Sequence, residues 1–191
     1  MAVTPDRRVA RDERAVEAAH RAFVSGPWAN MPQTARGKLL RRIADLADQH
    51  AAYLAEIEVR DNGKLISEMA AQTKFLVEWY HFFGGLADKI TGSVVPIDKP
   101  EHFTYTLREP LGVCVFILPW NAPLLLVAYK LAAALATGNT VVIKPSEFTS
   151  ASTLEFVRLV LEPAGVPPGV VNVVTGSGAV VGEPLVTHPK V

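Results

Sequence analysis

Hydrophobic positions follow a helical rhythm up to about residue 86 and a mixed one after residue 92. Residues 10–24 set Val16, Ala19, Phe23 and Val24 on one face at helical spacing. Residues 35–60 continue with Leu39, Ile43, Leu46, Leu54 and Ile57, charges between them, and Asn62-Gly63 supplies a left-handed stop. Residues 66–83 repeat the pattern with Met69, Leu76, Trp79, Tyr80 and Phe83, and Gly84-Gly85 predicts the end of that helix. The aromatics read as helix core.

After Gly92 the segment TGSVVPIDKPEHFTYTLREP carries three prolines and an alternating stretch. Phe103, Tyr105 and Leu107 point one way, and Thr104, Thr106 and Arg108 the other, as in a strand with one wet face. A short ribbon of this kind seldom stands alone, so it is expected to pair with another surface, such as a second subunit.

From Leu111 the pattern changes again. GVCVFIL suits a strand covered on both faces. Residues 123–136 form an apolar helix ended by Gly138, and NTVVIKP is a second buried strand. Residues 150–162 form a helix with Thr149 or Ser150 as its N-cap. Pro167-Pro168-Gly169 turns the chain into a third strand, VVNVV, before Gly176-Ser177-Gly178 and a short last helix. Strand and helix in alternation predict an α/β fold with a parallel sheet and crossover helices.

Composition narrows the function classes. The 191 residues suffice for one large domain or two small ones. Hydrophobic residues make up 49% and charged residues 20%, as in an ordinary globular protein. Nineteen basic residues balance nineteen acidic ones, which gives no electrostatic case for nucleic acid or an anionic membrane. The opening MAVTPDRRVARDER lacks the apolar core of a signal peptide. The apolar stretch at 122–136 is interrupted by Tyr129 and Lys130 and is too short to span a bilayer. With Cys114 as its one cysteine the chain has no internal disulfide. A cytoplasmic protein is expected. Histidines at 20, 50, 81, 102 and 188 show no metal-ligand spacing, so no metal site is expected.

In open parallel sheets, ligands bind beyond the carboxyl ends of the strands. That rule selects three clusters: Pro119-Trp120-Asn121, Lys144-Pro145-Ser146-Glu147, and Gly176-Ser177-Gly178 with Gly182. The GxGxxxG spacing departs from the common dinucleotide fingerprint by one residue and serves a tight strand-to-helix turn equally well. Lys144 presents a cation to hydroxyls or phosphate, and Glu147 can accept two hydrogen bonds from a ribose diol. A solvated loop with an acid before a helix would use the same residues. The Asn121 amide can donate to a developing oxyanion, or simply shape a turn. Cys114 sits inside an apolar run, where burial raises its pKa, and is rejected as a nucleophile.

These residues carry a resemblance. LREPLGVCVFILPWNAPLLL, KLAAALATGNTVVIKPSE and GVPPGVVNVVTGSG, in this order and spacing, are similar to the aldehyde dehydrogenase superfamily. RGKLLRRIADL and EVRDNGK resemble that family's amino-terminal helices, so the resemblance runs from about residue 15 to the end.

The resemblance implies a Rossmann-like, doubly wound parallel sheet, incomplete here. Residues 1–91 would be the helical part of the cofactor domain, 92–110 an oligomerisation ribbon, and 111–191 the dinucleotide-binding segment. It implies that Asn121 is the oxyanion amide, and that Leu118, Pro119 and Trp120 line the cofactor cleft. Lys144 and Glu147, in the KPSE motif with Ser146, would hold the adenosine ribose. Gly176, Gly178 and Gly182 would form the adenine-side wall. Glu147 favours NAD by repelling a 2′-phosphate, and NADP stays open because the side chain can swing away. The implied activity is oxidation of a small-molecule aldehyde to a carboxylic acid by a homo-oligomer. Phe75, Trp79 and Ala122 hint at an apolar aldehyde pocket, with aliphatic and aromatic aldehydes equally open. The family's nucleophilic cysteine, its general-base glutamate and the next strand are expected beyond Val191. The alternative is a non-catalytic nucleotide-binding or assembly module.

Overall fold

A computed structural model describes residues 9–191, with side chains from residue 12 onward, so the first part of the MAVTPDRRVARDER segment lies outside the described residues. Helix α1 (Val9–Ser25) turns Val16, Ala19 and Ala22 inward. Val24, predicted on that face, is exposed, because it lies about 100° round the helix from Phe23. The single helix predicted over 35–60 is two: α2 (Gln33–Gln49) ends as His50 opens to φ −102°, ψ 5°, and α3 (Ala51–Asn62) restarts at once. Gly63, at φ 73°, ends α3 as Asn62-Gly63 predicts.

Helix α4 (Ile66–Leu86) runs past Gly84-Gly85, where the sequence predicts a stop. Packing explains this: a Cβ on Gly37 of α2 would stand 2.7 Å from the Gly84 carbonyl oxygen. These glycines let two helices cross closely rather than ending one. Of the α4 aromatics read as core, Tyr80 is fully buried, Trp79 and Phe83 are partly buried, and the neighbouring Phe75 and Phe82 are exposed.

Strands β1 (Val94–Val95) and β2 (Thr104–Tyr105) pair antiparallel, Val94 opposite Tyr105. The predicted one-faced ribbon is open on its apolar side as well. Phe103 is 73% exposed, Tyr105 56% and Leu107 70%.

The second half alternates as predicted. Strand β3 (Val113–Ile117) leads through α5 (Pro123–Thr137) to β4 (Thr140–Lys144). Helix α6 (Ala151–Phe156) passes through a π-helical turn (Val157–Leu161) into α7 (Glu162–Ala164), and the chain returns as β5 (Val171–Val173). A second π-helical turn (Gly178–Gly182) opens into α8 (Glu183–Val186). The sheet order is β3-β4-β5, all parallel. Central β4 is buried along its whole length. Strand β3, expected to be covered on both faces, is an edge strand here: Val113 is buried, the next three residues are half-buried and Ile117 is exposed. Cys114 is accordingly half-buried rather than enclosed.

Side chains alternate across the sheet. Val141 and Ile143 pack into a core with α2, α4, α5 and α6, while Val113 and Val142 pack with Val16, Ala19, Val181 and Leu185. Helices thus cover both faces, the doubly wound α/β arrangement. Two arginines of α2 hold the far ends of the crossover helices. Arg36 Nε donates to the Ala136 carbonyl at 3.3 Å, and Arg42 Nη1 to the Ala164 carbonyl at 2.9 Å. Each satisfies a carbonyl left open at a helix carboxyl end and places a cation on its negative pole. Among the described residues, no helix is long and apolar enough to cross a membrane.

Candidate functional site

Parallel register brings the three predicted clusters to one rim. Ile117 lies opposite Lys144, and Ile143 opposite Val173, so the loops leaving β3, β4 and β5 emerge side by side. The Leu118 N–H donates to the Lys144 carbonyl at 3.0 Å, carrying the ladder one step into the first loop.

Lys144 is the hub of the rim. Its side chain is only 3% exposed. Nζ donates to the Pro145 carbonyl at 2.9 Å, to the Gly176 carbonyl at 2.9 Å and to Glu147 Oε2 at 3.4 Å. An ammonium has three protons, and a buried one must place them all. Two are held firmly by carbonyls; the third makes a long contact with a carboxylate that is itself 39% exposed. That third proton is the one a ligand hydroxyl at this rim could share.

The Glu147 pKa is lowered below the ordinary glutamate value of 4.5, chiefly by its own backbone N–H; desolvation opposes this, and Lys144 and the Gly178 N–H add to the lowering. The second and third loops therefore meet at one ionised carboxylate. Ser146 is buried and turned into its own loop, where its Oγ accepts the Phe148 N–H at 3.2 Å. It shapes the Lys144–Glu147 turn and presents no hydroxyl to the rim.

The glycines differ in what they do. A Cβ on Gly176 would stand 2.4 Å from Val181 Cγ2, and this residue holds φ 155°, so the turn needs glycine. A Cβ on Gly182 would be 3.5 Å from Ile117 Cδ1 and 3.7 Å from Lys144 Cδ, ordinary contact distances. Gly178 faces open space.

In the first loop, Pro119, Trp120 and Asn121 are all exposed, whereas Leu118 is 3% exposed and packs into the core. Leu118 can therefore offer the rim only its backbone. The Asn121 amide makes no hydrogen bond among the described residues and is free to donate. Trp120 borders a shallow hollow of about 230 Å³ with Asp61, Asn62, Phe148 and Thr149. Burial pushes the Cys114 thiol up, which disfavours the nucleophilic thiolate.

Sequence reasoning missed two carboxylates behind the rim. Ser150 takes the N-cap position of α6, but its side chain makes no cap; the Ala151 N–H is held instead by Asp61 Oδ2 of α3 at 2.8 Å. The Leu124 N–H, in the first turn of α5, is held by Glu58 Oε1 of α3 at 2.9 Å. Glu58 is 1% exposed, and burial raises its pKa. The available signal was a glutamate at i+4 from Leu54, on the buried face of a helix.

The whole chain, residues 1–191, matches the model of the aldehyde dehydrogenase family. A (Z)-2-((N-methylformamido)methylene)-5-hydroxybutyrolactone dehydrogenase from Acinetobacter baylyi is 47% identical over 187 residues, which are 98% of this chain and 38% of that protein. The cytosolic 10-formyltetrahydrofolate dehydrogenase of Homo sapiens is 44% identical over 183 residues, 94% of this chain and 20% of the relative. Betaine aldehyde dehydrogenase from Staphylococcus aureus, solved in complex with NAD+, superposes with a TM-score of 0.92 at 39% identity, covering 96% of this chain and 36% of that one. The chain thus spans well under half the length of these relatives, and over that span sequence and fold agree: it belongs to the aldehyde dehydrogenase family.

Proposed function

We propose that this chain supplies the NAD-binding rim and the oxyanion donor of an enzyme that oxidises an aldehyde to a carboxylic acid. The observation that carries the reading is the Lys144–Glu147 pair, set at the end of a fully buried strand beside the Gly176 turn. The donor set suits a ribose diol: an exposed ionised carboxylate accepts two hydroxyl protons, and the third Lys144 proton donates back. The open space at Gly178 leaves room for a ligand against the last helix. The solved Staphylococcus aureus relative, a complex with NAD+, supports the same choice. A negative Glu147 disfavours a 2′-phosphate, so NAD is preferred to NADP.

NAD, when bound, would accept the hydride. This chain's own part is positional and electrostatic. Lys144 and Glu147 fix the ribose end, and Pro119 and Trp120 stand where the cofactor would cross the first loop. The Asn121 amide donates to the carbonyl oxygen as negative charge develops on it. The attacking thiolate comes from another segment, since Cys114 is half-buried in a strand with a raised pKa. Residues 1–191 alone are therefore expected to form no NADH from aldehydes. The exposed ribbon at 92–110 is the proposed contact between subunits, and a cytoplasmic location suits the lone cysteine.

Fluorescence titration of the enzyme with NAD tests the reading. Glu147→Ala removes both ribose acceptors and is expected to weaken NAD binding about ten-fold, the equivalent of one charge-assisted hydrogen bond. Unchanged affinity would overturn the assignment.

A further inference from the structure

Helix α3 reaches both crossover helices at their amino ends, and the two contacts lie directly behind the site loops. Glu58 and Asp61 are three residues apart, so they share one face of α3. Glu58 Oε1 takes the Leu124 N–H at the start of α5, three residues from Asn121. Asp61 Oδ2 takes the Ala151 N–H at the start of α6, four residues from Glu147. Neither helix start has a side-chain cap of its own: Ala122 and Ser150 occupy those positions without one.

Glu58 is the unusual member. A carboxylate 1% exposed in a helix core is costly, and replacing it with a neutral residue of the same shape would ordinarily favour folding. Its anion faces the positive pole of α5 and accepts an N–H there. Burial dominates its surroundings, with Lys64 drawing its pKa down and Asp61 pushing it up. The contact fixes the first turn of α5, where Ala122 at the N-cap position holds a non-helical conformation at φ −154°, ψ 64°. That conformation directs the residue just before it, Asn121. Its exposed amide has no other anchor among the described residues.

We propose that Glu58 is a positioning residue for the oxyanion donor: by holding the Leu124 N–H, it sets the Pro119–Ala122 loop so that Asn121 projects over the rim. This rests on the reading of Asn121 as that donor. Glu58 touches no reacting atom and acts only through the loop.

The test is a double-mutant cycle in the enzyme, read as kcat, NAD KM and Tm. Glu58→Gln keeps the shape and an acceptor oxygen but loses the charge; Glu58→Ala loses both. The expected result is a kcat lowered about three-fold by Glu58→Gln and about ten-fold by Glu58→Ala, with NAD KM within about two-fold of the parent. Both losses should shrink to less than about two-fold in an Asn121→Ala background, because residues that act as a unit are not additive. Glu58→Gln should leave Tm unchanged or raise it, which a merely structural role would not do. If Glu58→Ala does not fold, Glu58→Gln carries the cycle alone. Equal losses with and without Asn121, or full turnover in the Glu58 variants while Asn121→Ala is impaired, would overturn the positioning role alone. Full turnover by Asn121→Ala would overturn the oxyanion assignment itself, and the route through it.

Discussion

At the residue scale the rim is governed by where protons and charges can go. Lys144 is buried and committed to two carbonyls, while Glu147 is open and ionised. Asn121→Ala should lower kcat by about two to three orders of magnitude, the usual loss for one oxyanion donor. An NAD KM that rose in step would point instead to a general collapse of the site. The two glutamates should respond to pH in opposite senses. The Glu147 pKa is depressed in the fold, so its contribution to stability is complete above the ordinary value of 4.5 and is lost as pH falls through the lowered value. The Glu58 pKa is raised, so its carboxyl favours the fold below 4.5 and gives up that contribution as pH rises through its folded value. Melting curves from pH 3 to pH 8 should show Glu147→Gln losing its deficit in acid, and Glu58→Gln gaining relative to the parent as pH rises. Parallel curves for both variants would refute the assigned environments. Gly176→Ala should lower stability by about 1–3 kcal/mol, because its Cβ would overlap Val181 Cγ2 in a tightly packed turn. An unchanged Tm would mean that Val181 moves aside at no cost.

At the element scale, one helix pair grips two others by their ends. Arg36 and Arg42 of α2 take the carboxyl ends of α5 and α7, and Glu58 and Asp61 of α3 take the amino ends of α5 and α6. Charge signs match the helix poles at all four ends. Asp61→Ala should therefore cost about 1 kcal/mol, the usual value of a lost N-cap, seen as a lower denaturation midpoint. No shift would mean that solvent serves the Ala151 N–H equally well. This scale also marks what could be read in the sequence. The strands GVCVFIL, NTVVIKP and VVNVV were legible as short β-branched runs bounded by turn residues, although only β4 is buried along its whole length. Their alternation with helices put the three site clusters on one rim, and the structure brings these together. The break at His50, the continuation of α4 through Gly84 and the caps from Glu58 and Asp61 were not legible. The last three depend on a partner distant in sequence: Gly37 for Gly84, Leu124 for Glu58, Ala151 for Asp61. The apolar run of β3 reads as a central strand, yet in this chain it forms an edge, because a run shows what a strand suits and not which neighbours it has.

At the scale of the whole molecule, exposed apolar side chains occur on several elements, and two places bear on assembly. One is the ribbon, with Phe103, Tyr105 and Leu107; the other is the entry to β3, where Leu111 is 91% exposed. Apolar side chains grouped in this way mark surfaces that another chain or segment covers. If the ribbon joins subunits, Tyr105→Asp with Leu107→Asp should shift the enzyme to smaller species in sedimentation velocity while Glu147-dependent NAD binding survives. An unchanged sedimentation profile would remove the ribbon from the interface. The rim decides the matter, and a crystal structure of the enzyme with NAD tests it. The adenosine ribose hydroxyls are expected within hydrogen-bonding distance of the Glu147 carboxylate and Lys144 Nζ, with Asn121 on the nicotinamide side of the same rim. A ribose bound away from both residues would contradict it.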